Sequence, residues 1–133
     1  MAEEGAAMAD PATILAVEDD EEVRALIREV LAREGFRVLE AASGEAALAV
    51  LEAEPVDLLF TDIVMPGLNG LDLGRLARRL RPGVRILYAS AFGPHLVAQP
   101  EAKDFVRKPY RPRQLVARIK RSLLMEASAQ APS

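Results

Sequence analysis

The sequence predicts an α/β fold, in which a five-stranded parallel sheet is covered by helices on both faces. Short apolar runs alternate with stretches whose apolar residues recur at helical spacing, and this alternation occurs five times along the chain. Such a pattern favours parallel strands joined by right-handed helical crossovers. The chain has 133 residues, of which 50% are hydrophobic, and this suits one domain with its own core.

The first half of the chain predicts two strands and two helices. TILAVE, residues 13–18, is an apolar run that ends in an acid, as a buried strand would. Apolar residues at helical spacing follow, and Gly35 ends that helix. FRVLEA, residues 36–41, predicts the second strand. Ser43 is a suitable N-cap for a helix that runs through about Glu54.

The second half continues the alternation. VDLLFT, residues 56–61, predicts the third strand, and residues 71–80 carry leucines on one face of a helix. VRILYA, residues 84–89, predicts the fourth strand, and the short run DFVR, residues 104–107, the fifth. Pro112 suits the first turn of a last helix.

The crossover between the fourth and fifth strands is short. It spans residues 91–103, which is thirteen residues, close to the minimum of roughly 10–12 for a crossover. Pro94 and Pro100 leave only residues 95–99 between them. The sequence therefore predicts a shortened or missing fourth helix.

Residues 13–125 are predicted to form the folded domain, with flexible segments at 1–12 and 126–133. The first segment carries acids where a signal peptide needs a basic start, and no stretch approaches the roughly 18 apolar residues of a membrane span. We therefore expect a cytoplasmic protein without membrane contact. A net charge of −3 is too small to predict nucleic acid as a direct partner.

Polar side chains follow the strands at one edge of the predicted sheet. Glu18 and Asp19 follow the first strand, Asp62 the third, Ser90 the fourth and Lys108 the fifth. The carboxyl ends of parallel strands meet at one edge, where ligands bind in such folds. Acids at a helix N-terminus are also favoured by the helix dipole, but that does not explain acids after two different strands.

These residue types indicate a phosphoryl-transfer site. The chain has no cysteine and one histidine, so oxygen atoms would be the metal ligands, and Mg²⁺ is the ion that such ligands suit. Mg²⁺ keeps several waters, which leaves room for a phosphate oxygen. Lys108 supplies a positive charge and Ser90 a hydroxyl donor. Asp62 is then best placed as the nucleophile.

The sequence resembles a receiver domain of two-component response regulators, in the CheY-like superfamily, over nearly its whole folded length. The resemblance is carried by ILAVEDDEEVRALI, LLFTDIVMPGLNG, ILYASA and FVRKPY, in that order. It implies a flavodoxin-like (βα)5 three-layer sandwich with strand order 2-1-3-4-5.

The resemblance also implies a role for each of four residues at the metal site. Asp62 would be the phosphoacceptor. Glu18 and Asp19, together with Asp62, would bind Mg²⁺, and Val64 would provide a backbone carbonyl to the same ion.

Four further positions match the family pattern. Ser90 and Lys108 would meet the phosphoryl group, and Pro109 would follow a cis peptide bond. Phe105 would act with Ser90 as the switch. Because Phe105 has no hydroxyl, its side chain could respond only by changing its packing.

The resemblance implies a signalling phosphoacceptor rather than an enzyme, at most promoting its own phosphorylation and dephosphorylation. The phosphoryl group would come from a histidine kinase or a histidine phosphotransfer protein and would control an unidentified downstream protein. The short fourth crossover suggests a monomer.

The alternatives are a receiver-like adaptor that binds partners without phosphorylation and a phosphatase of the haloacid dehalogenase type, which would need an acid where residue 64 is valine. A stand-alone regulator, a relay intermediate and a piece of a hybrid kinase all stay open.

Two further features concern the surroundings of the site. Val64 and Phe92 are apolar at positions that would otherwise orient hydrolytic water, and Ala91 is small, so we expect a slowly hydrolysed phosphoryl group. Arg24 and Arg28 on the first helix would either contact the phosphodonor or make surface pairs of the i,i+4 type.

Overall fold

The computed structural model describes residues 11–91 and 104–125, which form one parallel five-stranded sheet. The strands are β1 (Thr13–Val17), β2 (Arg37–Ala41), β3 (Leu58–Asp62), β4 (Arg85–Ser90) and β5 (Phe105–Arg107). Their order in the sheet is β2-β1-β3-β4-β5. The predicted α/β class and strand order are confirmed.

Within the described residues, four helices flank the sheet. They are α1 (Glu21–Arg33), α2 (Gly44–Ala53), α3 (Gly70–Leu80) and α4 (Pro112–Leu124). Ser43 caps α2 as predicted, because its Oγ accepts a hydrogen bond from the Ala46 amide at 3.0 Å. Gly35 follows the end of α1 with a φ of +93°, a left-handed conformation that favours glycine.

The core has two parts, one on each face of the sheet. On one face, side chains of the sheet pack against α2 and α3; this first core cluster includes Leu15, Val17, Leu59, Tyr88, Leu51 and Leu73. On the other face they pack against α1 and α4; this second core cluster includes Ile14, Ala16, Phe60, Leu31, Leu115 and Ile119. Successive β1 residues alternate between the two clusters, which explains why this strand is an uninterrupted apolar run.

The ends of two strands differ slightly from the sequence prediction. β3 extends to Asp62 and β4 to Ser90, one residue further than the predicted spans. Asp62 pairs with Ala89 in the sheet, and the next amide, of Ile63, donates to the Ala89 carbonyl at 3.0 Å. The acid and the hydroxyl of the predicted site are therefore held by the sheet itself and not by flexible loops.

Some predictions concern residues outside the described ranges. The shortened or missing fourth helix falls on residues 92–103 and stays a prediction. The predicted domain boundaries are likewise untested, since residues 1–10 and 126–133 are also outside. Across 11–91 and 104–125, no helix has the length and apolar character needed to cross a membrane.

Candidate functional site

Three carboxylates meet at the carboxyl edge of the sheet. Glu18 and Asp19 follow β1, and Asp62 ends β3, the neighbouring strand. One carboxylate oxygen from each lies within 4.8 Å of the others. Glu18 and Asp62 are buried, with 5% and 7% of their surface exposed, whereas Asp19 is exposed. The structure thus brings together the three acids that the sequence singled out.

Lys108 lies between the two buried acids. Its Nζ is 2.8 Å from Asp62 Oδ1 and 4.0 Å from Glu18 Oε1. Its backbone amide donates to the Ser90 carbonyl at 2.8 Å, which ties the end of β5 to the end of β4. The Lys108–Pro109 peptide bond is cis, as the family resemblance implies.

The pKa values of these groups reflect their crowding. Burial raises the pKa of the Glu18 carboxyl to about 7. The hydrogen bond that this carboxylate accepts from the Asp20 amide opposes the rise, and the negative charge of Asp62 adds to it. Burial alone would lower the pKa of Lys108, but its hydrogen bond to Asp62 and the charges of the acids outweigh this and raise it. One ammonium thus faces three carboxyl groups, so a further positive charge would stabilise the cluster.

The donor set of this cluster fits Mg²⁺. All three candidate ligands are carboxylates, and two of them are buried, Glu18 directly after β1 and Asp62 as the last residue of β3. Mg²⁺ prefers oxygen ligands and is commonly held by a few carboxylates together with waters. Exposed Asp19 leaves one side of the cluster open to solvent.

Close backbone packing fixes the position of Asp62. Gly70, the first residue of α3, lies so near that a Cβ added to it would be 2.0 Å from the Asp62 carbonyl oxygen. The Gly70 amide donates to the Ile63 carbonyl at 2.8 Å. In the intervening loop, the Leu68 amide donates to Glu45 Oε2 on α2 at 3.2 Å. The helix and loop after Asp62 therefore hold it against the sheet.

The acids open into a cleft of about 700 Å³. Val64 and Ala91 line this cleft, and Val64 is 57% exposed. Tyr110 also lines it, and its ring packs edge-on against Phe60 with centroids 5.9 Å apart. Burial, together with the charges of two site acids, raises the pKa of Tyr110. Sequence reasoning missed Tyr110, although it stands two residues after Lys108 in the motif FVRKPY.

The two predicted switch residues lie on neighbouring strands. Ser90 ends β4 and is 3% exposed, and Phe105 begins β5 and is half-buried. Phe105 pairs in register with Tyr88 and packs against the first core cluster. Phe92, the other apolar residue predicted to limit hydrolysis, lies outside the described residues.

Arg24 and Arg28 both contact β2. Arg24 Nη1 donates to the Glu18 carbonyl at 2.7 Å, and its Nε is 3.5 Å from Glu40 Oε1. Arg28 Nη1 is 3.2 Å from Glu40 Oε2. These contacts are therefore not the i,i+4 pairs within α1 that the sequence suggested as an alternative.

A parallel 2-1-3-4-5 sheet with a lysine-paired acidic cluster at its carboxyl edge defines a receiver-type signalling module. The family model of the response regulator receiver domain matches residues 14–120, and the chain belongs to this family.

Known relatives agree with this assignment. The chain is 44% identical over 110 residues to the transcriptional regulatory protein CpxR of Klebsiella pneumoniae, covering 80% of this chain and 47% of CpxR. It thus spans about half the length of this relative. It is 34% identical to the response regulator receiver protein CpdR of Brucella abortus, covering 84% of this chain and 96% of CpdR.

Solved structures share the fold. The response regulator TrrA of Thermotoga maritima, determined in complex with Mg(2+)-BeF, matches with a TM-score of 0.76 and 30% identity. The match covers 85% of this chain and 99% of TrrA.

Proposed function

We propose that Asp62 accepts a phosphoryl group from a phosphohistidine of a histidine kinase or a histidine phosphotransfer protein. The observation that supports this most is the 2.8 Å contact between Asp62 Oδ1 and Lys108 Nζ, inside a three-carboxylate cluster that opens into a cleft. An Asp62 oxygen would form a bond to phosphorus while the phosphorus–nitrogen bond of the donor breaks. The bonding electrons then go to the donor imidazole, so the transfer needs no further reactant.

Glu18, Asp19 and Asp62 would hold Mg²⁺, with the Val64 backbone carbonyl as a further ligand. When bound, the ion would neutralise charge on the phosphoryl oxygens. Lys108 has a raised pKa, so it stays protonated and can pair with the phosphoryl group once Asp62 carries it as an acyl phosphate. The Mg(2+)-BeF complex of the related TrrA supports Mg²⁺ as the ion.

The response would pass through Ser90 and Phe105. Ser90 would donate its hydroxyl to the phosphoryl group, and β4 would carry the resulting movement to Phe105, whose partner Tyr88 lies two residues before Ser90. Repacking of the half-buried Phe105 ring would then change a surface that binds a downstream protein. We expect this exchange to occur in the cytoplasm and the chain to act as a monomer.

A small phosphodonor tests the proposal without a kinase. Purified chain is incubated with acetyl phosphate, in Mg²⁺ or in excess EDTA, and its intact mass is measured over time. The wild type should gain one phosphoryl group in Mg²⁺ and none in EDTA, and Asp62→Asn should gain none. Asp72→Asn is a matched control, because Asp72 lies on α3 with 43% of its side chain exposed and pairs with Arg75; it should behave as the wild type. A wild-type chain that stays unmodified would favour the phosphorylation-independent adaptor.

A further inference from the structure

Arg24 is more buried than Arg28, the other arginine on the same part of α1. Its side chain is 18% exposed, whereas that of Arg28, one turn along α1, is 52% exposed. Arg24 points back along the helix and donates from Nη1 to the Glu18 carbonyl at 2.7 Å. It therefore contacts the backbone of the acidic loop and not the cleft itself.

The carbonyl that Arg24 holds lies just past the end of β1. The Glu18 amide still donates to the Ala41 carbonyl of β2 at 3.1 Å, which continues the pairing of the two strands. Because a peptide unit is planar, fixing the Glu18 oxygen also fixes the amide nitrogen and Cα of Asp19. This hydrogen bond thus helps to set the direction in which the chain leaves the strand and presents both acids, together with the Asp20 cap, whose Oδ1 accepts from the Glu22 and Val23 amides.

Arg24 is itself held in place from β2. Glu40 Oε1 is 3.5 Å from Arg24 Nε, and Glu40 Oε2 is 3.2 Å from Arg28 Nη1. The planar guanidinium can contact Glu40 and the Glu18 carbonyl at once, which the single ammonium group of a lysine does less well. The two arginines therefore share an anchor, but only Arg24 extends from it to the acidic loop.

We propose that Arg24 is a positioning residue for the metal site, which orients Glu18 and Asp19 for Mg²⁺ through the Glu18 carbonyl. This inference rests on the proposed Mg²⁺ site. Groups that orient metal ligands typically contribute about 10- to 100-fold to metal affinity. The direction of the change in Mg²⁺ affinity is diagnostic. If Arg24 acted only through its positive charge, it would repel Mg²⁺, and replacing it with a neutral residue would strengthen Mg²⁺ binding.

The test is the Mg²⁺ dissociation constant, measured by isothermal titration calorimetry on the wild type, Arg24→Gln, Arg24→Lys and Arg28→Gln. Arg28→Gln is the matched control, because it removes the same charge from the same helix and the same Glu40 partner. Thermal unfolding of each variant is monitored by circular dichroism, and the calorimetry is done at a temperature at which every variant is folded. Arg24→Lys, which keeps the positive charge but loses the planar guanidinium, carries the test if Arg24→Gln does not fold, and unchanged binding by Arg24→Lys would then overturn the role of Arg24.

We expect Arg24→Gln to raise the dissociation constant about tenfold or more, Arg24→Lys to raise it less, and Arg28→Gln to leave it within about twofold. Unchanged or tighter binding by folded Arg24→Gln, or equal losses in the two glutamine variants, would overturn the role of Arg24 alone. A wild-type chain that takes up no Mg²⁺ would overturn the proposed metal site and this inference with it.

Discussion

Replacing Gly70 with alanine should damage both the stability and the chemistry of this protein. Gly70 begins α3 and has no left-handed φ, so its backbone conformation alone would accept alanine. Space is the constraint. A Cβ at Gly70 would be 2.0 Å from the Asp62 carbonyl oxygen and 2.8 Å from Ile63 Cα. Both atoms belong to the backbone, so no side-chain rotation relieves the clash.

The size of the effect follows from these distances. Ordinary contact begins at 3.4 Å, so α3 and the end of β3 must separate by about 1.4 Å. Overpacking of this kind costs about 1–3 kcal/mol of unfolding free energy, whereas glycine to alanine in an unconstrained helix gains up to about 1 kcal/mol. A shift of about 1 Å in a reacting group can slow a reaction as much as 100-fold. We therefore expect a loss of stability together with phosphorylation slowed about 10- to 100-fold.

Urea unfolding and the initial rate of phosphorylation by acetyl phosphate measure the two effects, with rates taken well below the unfolding midpoint. Gly83→Ala is the matched control, because a Cβ at Gly83 meets nothing within 4 Å; its free energy of unfolding should change by no more than about 0.5 kcal/mol. Wild-type stability and rate in Gly70→Ala would refute the argument that this close approach positions Asp62.

Three further predictions concern other parts of the molecule. Lys108→Met should bind Mg²⁺ more tightly in calorimetry, since a competing cation is lost, yet take up phosphate more slowly; weaker binding would contradict this. Ser122→Ala should cost about 1–2 kcal/mol in urea unfolding, because its buried hydroxyl donates to Asp104 at 2.7 Å, and leave Mg²⁺ affinity unchanged. Polar replacements at Val64 and Phe92 should increase the rate of phosphoryl loss, measured by intact mass, about tenfold or more. An unchanged lifetime of the phosphoryl group would contradict this.

The sheet could be predicted from the sequence because its strands are short, apolar and regularly separated by helical patterns. β1 and β3 are buried on both faces, so their apolar runs end where the strands leave the core. Residues at those ends must meet at one edge of a parallel sheet, and this topological rule brings Glu18, Asp19 and Asp62 together without any distance being known.

Contacts that depend on three-dimensional packing could not be predicted. The pairing of Arg24 with the Glu18 carbonyl joins a helix to the loop before it, with Glu40 from another strand as anchor, and no spacing rule describes that arrangement. The glycine at position 70 marks a turn in the sequence, but its contact with the Asp62 backbone appears only in space. Tyr110 follows a recognisable motif, yet only the structure shows that its ring lines the cleft.

The most direct test of the central claim is to locate the phosphoryl group chemically. Chain treated with acetyl phosphate and Mg²⁺ is reduced with borohydride, which converts an aspartyl phosphate to homoserine, and its peptides are sequenced by mass spectrometry. We predict homoserine at position 62, and none there when the phosphodonor is omitted. Homoserine at position 19 instead, or a modified chain with aspartate intact at 62, would contradict the proposed role of Asp62.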